Sequence, residues 1–526
     1  MITLDSTMPP LSQKPGWIDL PVEIIERIVA CLDNKSLLNL GKVNRISNRV
    51  ALARLLGHHV TSEIMTSSSI TIPRFPPTEL MSAISAAVWL PPISHIDYSS
   101  IRYDVKTLMG ELHGILRLIS ASPPNSLKSL RLRFLLFDRR EPGRCLIKIR
   151  RQSLIRKAWL RLVSRLVDTA LHKGCKVLDI GGSLFPYPPM TNRMSWLTVN
   201  LARFFEVVAQ RVLRSSAASA TRASQLDSLI VGGHEPIHSA FLTYTLQICK
   251  RSSGTLQHLE FWFPWLSSSI GTAREWANLF DSLSLPHLRT LSIAGGVRFP
   301  LPPSVFAKFL HRHPHITDLK LKFSFSNPDS YTFSPRHTVL PNLRTLQAWP
   351  RVLIWLLSPP ASIEHGKSGN AWYPSLTSVT ILPSILHLST EELSTLTRAI
   401  LLLNHLPHTL LEAQPLHLTL EMCLLSTCWI KWIEENAGHS ALGEVALEHD
   451  LTRSRIKNMT LLLDHSVHPD RILAPELPTH LGRWVAIFPM LEELEISPHP
   501  FISNAANERL KSEIQRRCPM LKVLKL

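Results

Sequence analysis

The feature that most constrains this chain is a short apolar pattern that recurs along most of its 526 residues. In each copy, one apolar residue is followed three and five positions later by two more, and those last two share one face of a strand. Ten clear copies begin at Ile93, Leu127, Leu226, Leu256, Leu288, Ile316, Leu343, Leu376, Leu491 and Leu521. Poorer copies surround Val177, Leu416 and Ile456. The pattern predicts a long series of short strands.

Helical patterns lie between these strands. They cover Asp104–Ser120, Gln152–Lys173, Arg274–Leu285, Ser304–Arg312, Glu391–Leu406 and Asn504–Arg517. A repeated strand and helix resembles the leucine-rich repeat, which implies an α/β solenoid with parallel strands on the concave side and helices on the convex side. The alternative is a generic α/β domain in which the apolar pattern recurs by coincidence. Ten clear copies argue against it.

The predicted solenoid is irregular. Successive strand centres lie roughly 27 to 51 residues apart, whereas regular repeats of this kind run about 20–29 residues. The family's usual asparagine or cysteine after the strand is also missing, and its place holds Gly296, Ser324, Arg351 and His499. Other hydrogen bonds must therefore hold the turns.

Composition supports a folded chain of many short elements. Apolar residues make up 45% and charged residues 18%, which is typical of folded proteins. The 39 prolines favour short elements, because proline is excluded from the interior of long helices and sheets.

No stretch offers about twenty uninterrupted apolar residues, so we expect no membrane span. The start, Met1 to Gly16, lacks the basic and apolar regions of a secretory signal.

The seven cysteines lie far apart, and the closest pair, Cys423 and Cys428, has no second pair to complete a zinc site. We interpret them as reduced thiols in a cytoplasmic or nuclear protein.

The sharpest local signal runs from Leu20 to Ala53. Leu20-Pro21 is suited to a helix start. An apolar stripe at helical spacing follows, and Asp33-Asn34 ends this helix and can cap the next. Two further short stripes predict a second helix around Leu37 and a third after Val43. Three helices in about thirty-five residues cannot bury this much aliphatic surface among themselves. The surplus predicts a partner that docks helix against helix.

The ordered set of Leu-Pro, Glu-Ile, Leu-Leu and Val-Asn-Arg in this stretch resembles the F-box motif in its fungal style. The resemblance implies binding to a Skp-type adaptor and, through it, to a cullin scaffold. The expected adaptor-binding residues are Leu20, Pro21, Ile24, Ile25, Ile28, Leu32, Leu37, Leu38, Leu40 and Val43. Many F-boxes place a tryptophan after the third helix, whereas this chain has Leu52, Leu55 and Leu56. An ordinary three-helix cap on a repeat array is the alternative interpretation.

These patterns predict four regions. They are a disordered tail at 1–15, an F-box at 16–60, a helical linker at 61–89 and a leucine-rich-repeat-like, target-binding domain at 90–526.

Catalytic motifs are missing from the sequence, so we predict a non-enzymatic protein with no cofactor and no metal. Ala361–Ser368 approaches a phosphate-binding loop but has alanine in place of the first glycine. His311–His315 contains three histidines, yet Pro314 prevents a shared helical face. Glycine pairs after several strands, such as Gly232-Gly233, are interpreted as close turns of the chain.

The formal charge of +17 is uneven, because 13 Lys or Arg and only two acidic residues lie between Lys128 and Arg165. The candidate patch for an acidic or phosphorylated partner comprises Arg150, Arg151, Arg156, Lys157, Arg161 and Arg165. A solvated helix face is the plainer interpretation. Nucleic acid is disfavoured, since the segment lacks interleaved aromatic residues.

Together the two resemblances imply the substrate-recognition subunit of a Skp-cullin-F-box ubiquitin ligase, with an unknown protein target held by the repeats. The alternative function is a repeat scaffold that binds nucleic acid or acidic protein through the basic patch, without a ligase role.

Overall fold

The structure is a computed structural model. It describes residues 20–72, 79–87, 89–102, 105–136, 145–183, 225–233, 239–263, 272–295, 299–325, 340–358, 373–382, 390–404, 415–422, 432–433, 456–463, 477–488, 490–497 and 504–526. The chain divides into two compact units, Met1–Asp179 with Ser183–Ser224, and Ile180–Gly182 with Gln225–Leu526.

The first unit begins with helices and continues with alternating strands and helices. In chain order its elements are α1 (Val22–Ala30), α2 (Asn34–Leu40), α3 (Arg45–Ser67), β1 (Ser69–Ile72), α4 (Leu80–Ala86), β2 (His95–Arg102), α5 (Val105–Ala121), β3 (Ser129–Leu136) and α6 (Cys145–His172). The division between the two units falls within β4 (Val177–Ser183).

The second unit alternates strands with helices almost throughout. Its elements are β5 (Ser228–Gly233), α7 (Ser239–Arg251), β6 (His258–Trp262), α8 (Ala273–Ser282), β7 (Thr290–Ala294), α9 (Pro303–Arg312), β8 (Asp318–Lys322), β9 (Thr345–Ala348), α10 (Pro350–Leu357), β10 (Ser378–Ile381), α11 (Thr390–Asn404), β11 (Leu416–Met422), β12 (Ile456–Leu463), α12 (Leu477–Val485), β13 (Glu493–Ile496), α13 (Asn504–Arg517) and β14 (Val523–Lys525).

Strands that follow one another in the chain are neighbours in the sheet, and their described pairings are parallel. Alternate residues are buried in most strands, as in β6, where Leu259 and Phe261 are buried and Glu260 is not. The buried face packs on helices: Phe261 meets Trp276 of α8 edge-on, with ring centroids 5.4 Å apart. The α/β repeat architecture predicted from the apolar pattern is therefore confirmed.

A backbone ladder replaces the side-chain ladder that the sequence lacks. Just before each of several strands, one carbonyl accepts two N–H groups from the start of the next strand. Arg289 O, for example, accepts from Thr317 N at 2.8 Å and Asp318 N at 3.0 Å. The carbonyls that act in this way belong to Ser68, Ser94, Lys128, Asp227, Gln257, Arg289, Thr317, Arg344 and Glu492. This ladder fixes the edge of the sheet at which the strands begin.

All ten clear copies of the pattern and the three poorer copies are strands, whereas β1 was not predicted. The segment predicted as a helical linker, 61–89, contains the end of α3, then β1 and α4. The interpretation of Gly232 as part of a turn is wrong, because it lies within β5, where a Cβ would come within 1.9 Å of the Trp262 indole nitrogen. The predicted tail at 1–15 and the loop at 361–368 fall outside the described residues.

Among the residues that the structure describes, no helix is both long enough and apolar enough to cross a membrane.

Candidate functional site

The first three helices are delimited by side-chain caps that account for the polar letters of the motif. Asp33 accepts a hydrogen bond from Ser36 N at 2.7 Å and begins α2. This backbone N–H lowers the pKa of the Asp33 carboxyl. Asn44 accepts from Ser47 N at 2.8 Å and begins α3. The asparagine of Val-Asn-Arg is thus a helix cap.

A buried asparagine ties these helices together. The Asn48 side-chain amide donates to Gly41 O at 2.6 Å and to Ala86 O at 2.8 Å. It joins α3 to the turn after α2 and to the end of α4. Gly41 is buried against Leu52, and a Cβ there would lie 2.7 Å from that side chain. Gly41 therefore permits close packing of the turn on α3.

The module has a small core of its own, formed by Ile25, Val29, Leu37 and Ala51. Leu20, Leu32, Leu40, Val50 and Leu55 are partly buried against it. Five of the ten residues that the sequence assigns to adaptor binding are therefore part of this core or pack on it: Ile25, Leu37, Leu20, Leu32 and Leu40. Their side chains hold the helices in place.

Other apolar side chains of the module are exposed. Pro21, Ile24, Ile28 and Val43 of the predicted set face solvent, while Leu38 is partly buried. Val22 and Ile46 add to this surface, and Val43 is 67% exposed. Ile24 and Ile28 are one helical turn apart, so they form a single stripe on α1. The surplus of aliphatic surface predicted from the sequence is present in the folded chain.

A groove of about 1110 Å³ runs between α1 and α3. Its apolar lining includes Val22, Val50 and Ile46, and its charged lining consists of Glu26 with Arg45, Arg49 and Arg54. Trp89 completes the lining. The groove combines an apolar surface with an excess of positive charge.

Trp89 is the residue of this site that the sequence analysis missed. In the sequence it follows the groove-lining first turns of α3 by more than thirty residues, and it lies within the segment predicted as a linker. Its Nε1 is buried and has no hydrogen-bond partner among the described residues. The sequence around Trp89 gives no signal of this role, and only the fold brings the side chain to the groove.

The backbone of α3 departs from helical geometry at Gly57, where φ is +74°. Such a φ is accessible to glycine at little cost and strains other residues. The kink separates the part of α3 that packs on α1 and α2 from the part that leads to β1.

Comparison with known protein families matches residues 17–57 to the F-box domain. The matched region ends at the Gly57 kink. This chain contains an F-box domain. Within the matched region, α1, α2 and the first half of α3 are the three helices of the F-box. The strands β1 to β14 form the repeats that follow.

Comparison with curated proteins finds no match. Among solved structures, the chain is similar to the crystal structure of the Rad7 and Elc1 complex in yeast. That likeness has 12% sequence identity and a TM-score of 0.35, and it covers 86% of this chain and 90% of the other.

The candidate basic patch lies on α6. Arg161 and Arg165 are exposed there, while the side chains of Arg150, Arg151, Arg156 and Lys157 fall outside the described residues. The patch stays a prediction.

The histidine cluster contains a structural residue. His313 is buried, its Nδ1 lies 2.6 Å from Phe309 O, and its Nε2 accepts from Leu285 N at 2.9 Å. Nδ1 must therefore carry the proton, and the ring is neutral. Burial lowers the pKa of His313. Within the described part of the chain, no group of His, Cys, Asp and Glu could hold a metal ion.

Proposed function

We propose that this protein is the substrate-recognition subunit of a Skp-cullin-F-box ubiquitin ligase. The F-box would dock a Skp-type adaptor, and the adaptor would connect it to a cullin scaffold. The repeats would hold a target protein so that its lysines come within reach of the conjugating enzyme. The chain itself would be non-catalytic and would act by raising effective concentration.

The observation that carries this proposal is the exposed aliphatic surface of an F-box that already has a closed core. Ile24 and Ile28 remain at least 36% exposed although Ile25 and Val29, on the same helix, are at most 1% exposed. Fully burying a side chain of this size contributes roughly 1.5–3 kcal/mol. A few such residues suffice to hold a partner helix.

The test is recovery of a Skp-type adaptor with the full chain. The double variant Ile24→Asp with Ile28→Asp should reduce adaptor recovery at least a hundredfold, because two charges would have to be desolvated in the interface. Both side chains are exposed, so thermal unfolding should be unchanged. The matched control, Met520→Asp with Val523→Asp, changes two equally exposed apolar residues outside the F-box and should bind normally. Undiminished recovery with the first variant would contradict the proposal.

The alternative role, a scaffold that binds nucleic acid or acidic protein through α6, makes a different prediction. Binding to DNA or RNA would fall steeply with salt and would vanish when Arg150, Arg151 and Arg156 are neutralised. Adaptor recovery would then be unaffected by the two changes in α1.

A further inference from the structure

A second groove, of about 480 Å³, lies in the second unit at the edge where β7, β8 and β9 begin. Arg289, Thr317 and Arg344 line it, together with His315 and Asn342 from the turns just before them. The residues that line it include no carboxylate. Both arginines are exposed.

The backbone ladder fixes the relation between the three central residues. Thr317 N bonds to Arg289 O, and Arg344 N bonds to Thr317 O, each at 2.8 Å. They occupy the same position, one residue before each of three successive strands. Because neighbouring strands are about 4.8 Å apart, the two arginines flank Thr317 at about 10 Å from each other. Long side chains on both sides can converge above the threonine.

Neither guanidinium has an ion-pair or side-chain hydrogen-bond partner among the described residues. The acid next to Thr317 in sequence, Asp318, accepts hydrogen bonds from the hydroxyls of Thr317 and Thr345. Two cations therefore face one groove whose lining contains no carboxylate, and neither cation forms an ion pair with a described acid.

The same ladder position in the last three strands shows how two cations are arranged when an anion lies between them. There Lys457, Glu492 and Lys522 follow one another, and Glu492 bonds through its backbone to both neighbours. Its two carboxylate oxygens pair with Lys457 Nζ at 2.9 Å and Lys522 Nζ at 2.6 Å. Hydrogen bonds from the two lysines lower the pKa of Glu492 to about 2. One row is cation, anion, cation; the other is cation, threonine, cation.

We propose that the groove at Arg289, Thr317 and Arg344 binds a phosphorylated segment of a partner protein, whose phosphate takes the place that Glu492 fills in the other row. A phosphate group carries a charge of about −1.5 to −2 and three acceptor oxygens. Two guanidinium forks match that charge and geometry better than they match one carboxylate. This inference depends on the proposed function in one respect, namely that the partner would be the target of the ligase.

The experiment uses the full chain and fluorescence anisotropy. The probe is a fluorescein-labelled peptide library with a fixed phosphothreonine between degenerate flanks, and the comparison is the same library without phosphate. We expect the phosphorylated library to bind at least tenfold more tightly. Removal of either arginine should weaken binding at least tenfold, which corresponds to about 1.4 kcal/mol.

Four variants distinguish a built site from general positive charge. Arg289→Ala with Arg344→Ala should abolish the preference for phosphate, whereas Arg398→Ala with Arg483→Ala removes two exposed arginines elsewhere and should leave it intact. Arg289→Lys with Arg344→Lys keeps the charge but loses the forks, so its binding should be intermediate. Thr317→Glu supplies an internal anion like Glu492 and should also abolish binding.

Equal binding of the two libraries, or equal loss in the control pair, would overturn the proposal. So would competition by a single-stranded oligonucleotide that binds more tightly through the same two arginines, or binding of inorganic phosphate without any binding of phosphopeptide. Adaptor recovery is measured on the same variants and should be unchanged. If adaptor docking fails while phosphopeptide binding holds, the ligase role falls and the phosphate site stands.

Discussion

The F-box and the repeats are built from the same aliphatic residues but bury them to different extents. In the repeats, the first apolar residue of each clear copy in the second unit up to Leu376 is completely buried, as at Leu288 and Leu343. In the F-box, α1 alone exposes three large apolar side chains. Of the ten exposed large apolar residues in the described chain, five lie between Val22 and Ile46.

The difference follows from the number of neighbours available to each unit. A repeat has another repeat on both sides and a helix over its strand, so its apolar face is closed by the chain itself. Three short helices offer little surface to one another. What they leave exposed is the surface that we propose for the adaptor, whereas the repeats bury their apolar residues within the chain itself.

The comparison between the F-box and the repeats can be tested by destabilising each region. The largest loss of stability is expected at the aromatic centre of the repeats. Trp276 is completely buried and contacts Phe261, Phe263 and Phe299, with ring centroids 5.4, 5.5 and 4.8 Å away. Trp276→Ala should lower the free energy of unfolding by about 3–5 kcal/mol. Denaturant unfolding followed by circular dichroism measures the loss. A change below about 1 kcal/mol would show that this region collapses around the cavity.

A somewhat smaller loss is expected in the core of the F-box. Leu37 is 3% exposed and packs with Ile25 and Val29. Leu37→Ala should destabilise the F-box by about 2–5 kcal/mol, and adaptor recovery should fall because the helices are no longer held in place. Added adaptor should restore part of the stability through linkage. If Leu37→Ala weakened adaptor binding without any change in unfolding, its side chain would contact the adaptor directly, contrary to its buried position.

The strands of the repeats could be predicted because their pattern is local. Leu288, Leu291 and Ile293 lie within six residues, and each is buried on the predicted side. The F-box helices were predicted for the same reason, since spacing and capping residues are both short-range signals.

Contacts made across long separations were not predictable. Nothing in the sequence near Trp89 indicates that it will line a groove with Ile46. Likewise, Gly232 resembles a turn glycine, and only the neighbouring strand shows that Trp262 requires the space. The division of the adaptor set into core and surface residues also needed the fold, because Ile24 and Ile25 are equally apolar and adjacent.

Acidification should distinguish the interior of the repeats from their surface. His313 is neutral and buried, and its pKa is lowered from 6.5 by burial. As the pH falls through about 6.5, the unfolded state takes up a proton that the folded state does not, so stability decreases. The decrease ends once the pH is below the folded pKa.

The measurement is the unfolding temperature of the wild type and of His313→Gln at a pH of about 7.5 and about 5.5. The wild type should lose more on acidification than the variant, in which this site no longer titrates. His311 and His315 are exposed and remain in both proteins, so their contribution cancels. An identical loss in the two proteins would mean that His313 is protonated in the folded state as readily as in the unfolded one.

The smallest effect on stability is expected at Ile28, and it bears most directly on the comparison. Ile28 is exposed while the next residue, Val29, is buried in the F-box core. Ile28→Ala should change the free energy of unfolding by no more than about 0.5 kcal/mol, yet it removes apolar area from the proposed docking surface and should weaken adaptor binding measurably. Val29→Ala should instead destabilise the fold. Were Ile28→Ala to destabilise the free protein as strongly as Val29→Ala, the stripe on α1 would already be covered by the chain itself, and the contrast between an open F-box and closed repeats would be lost.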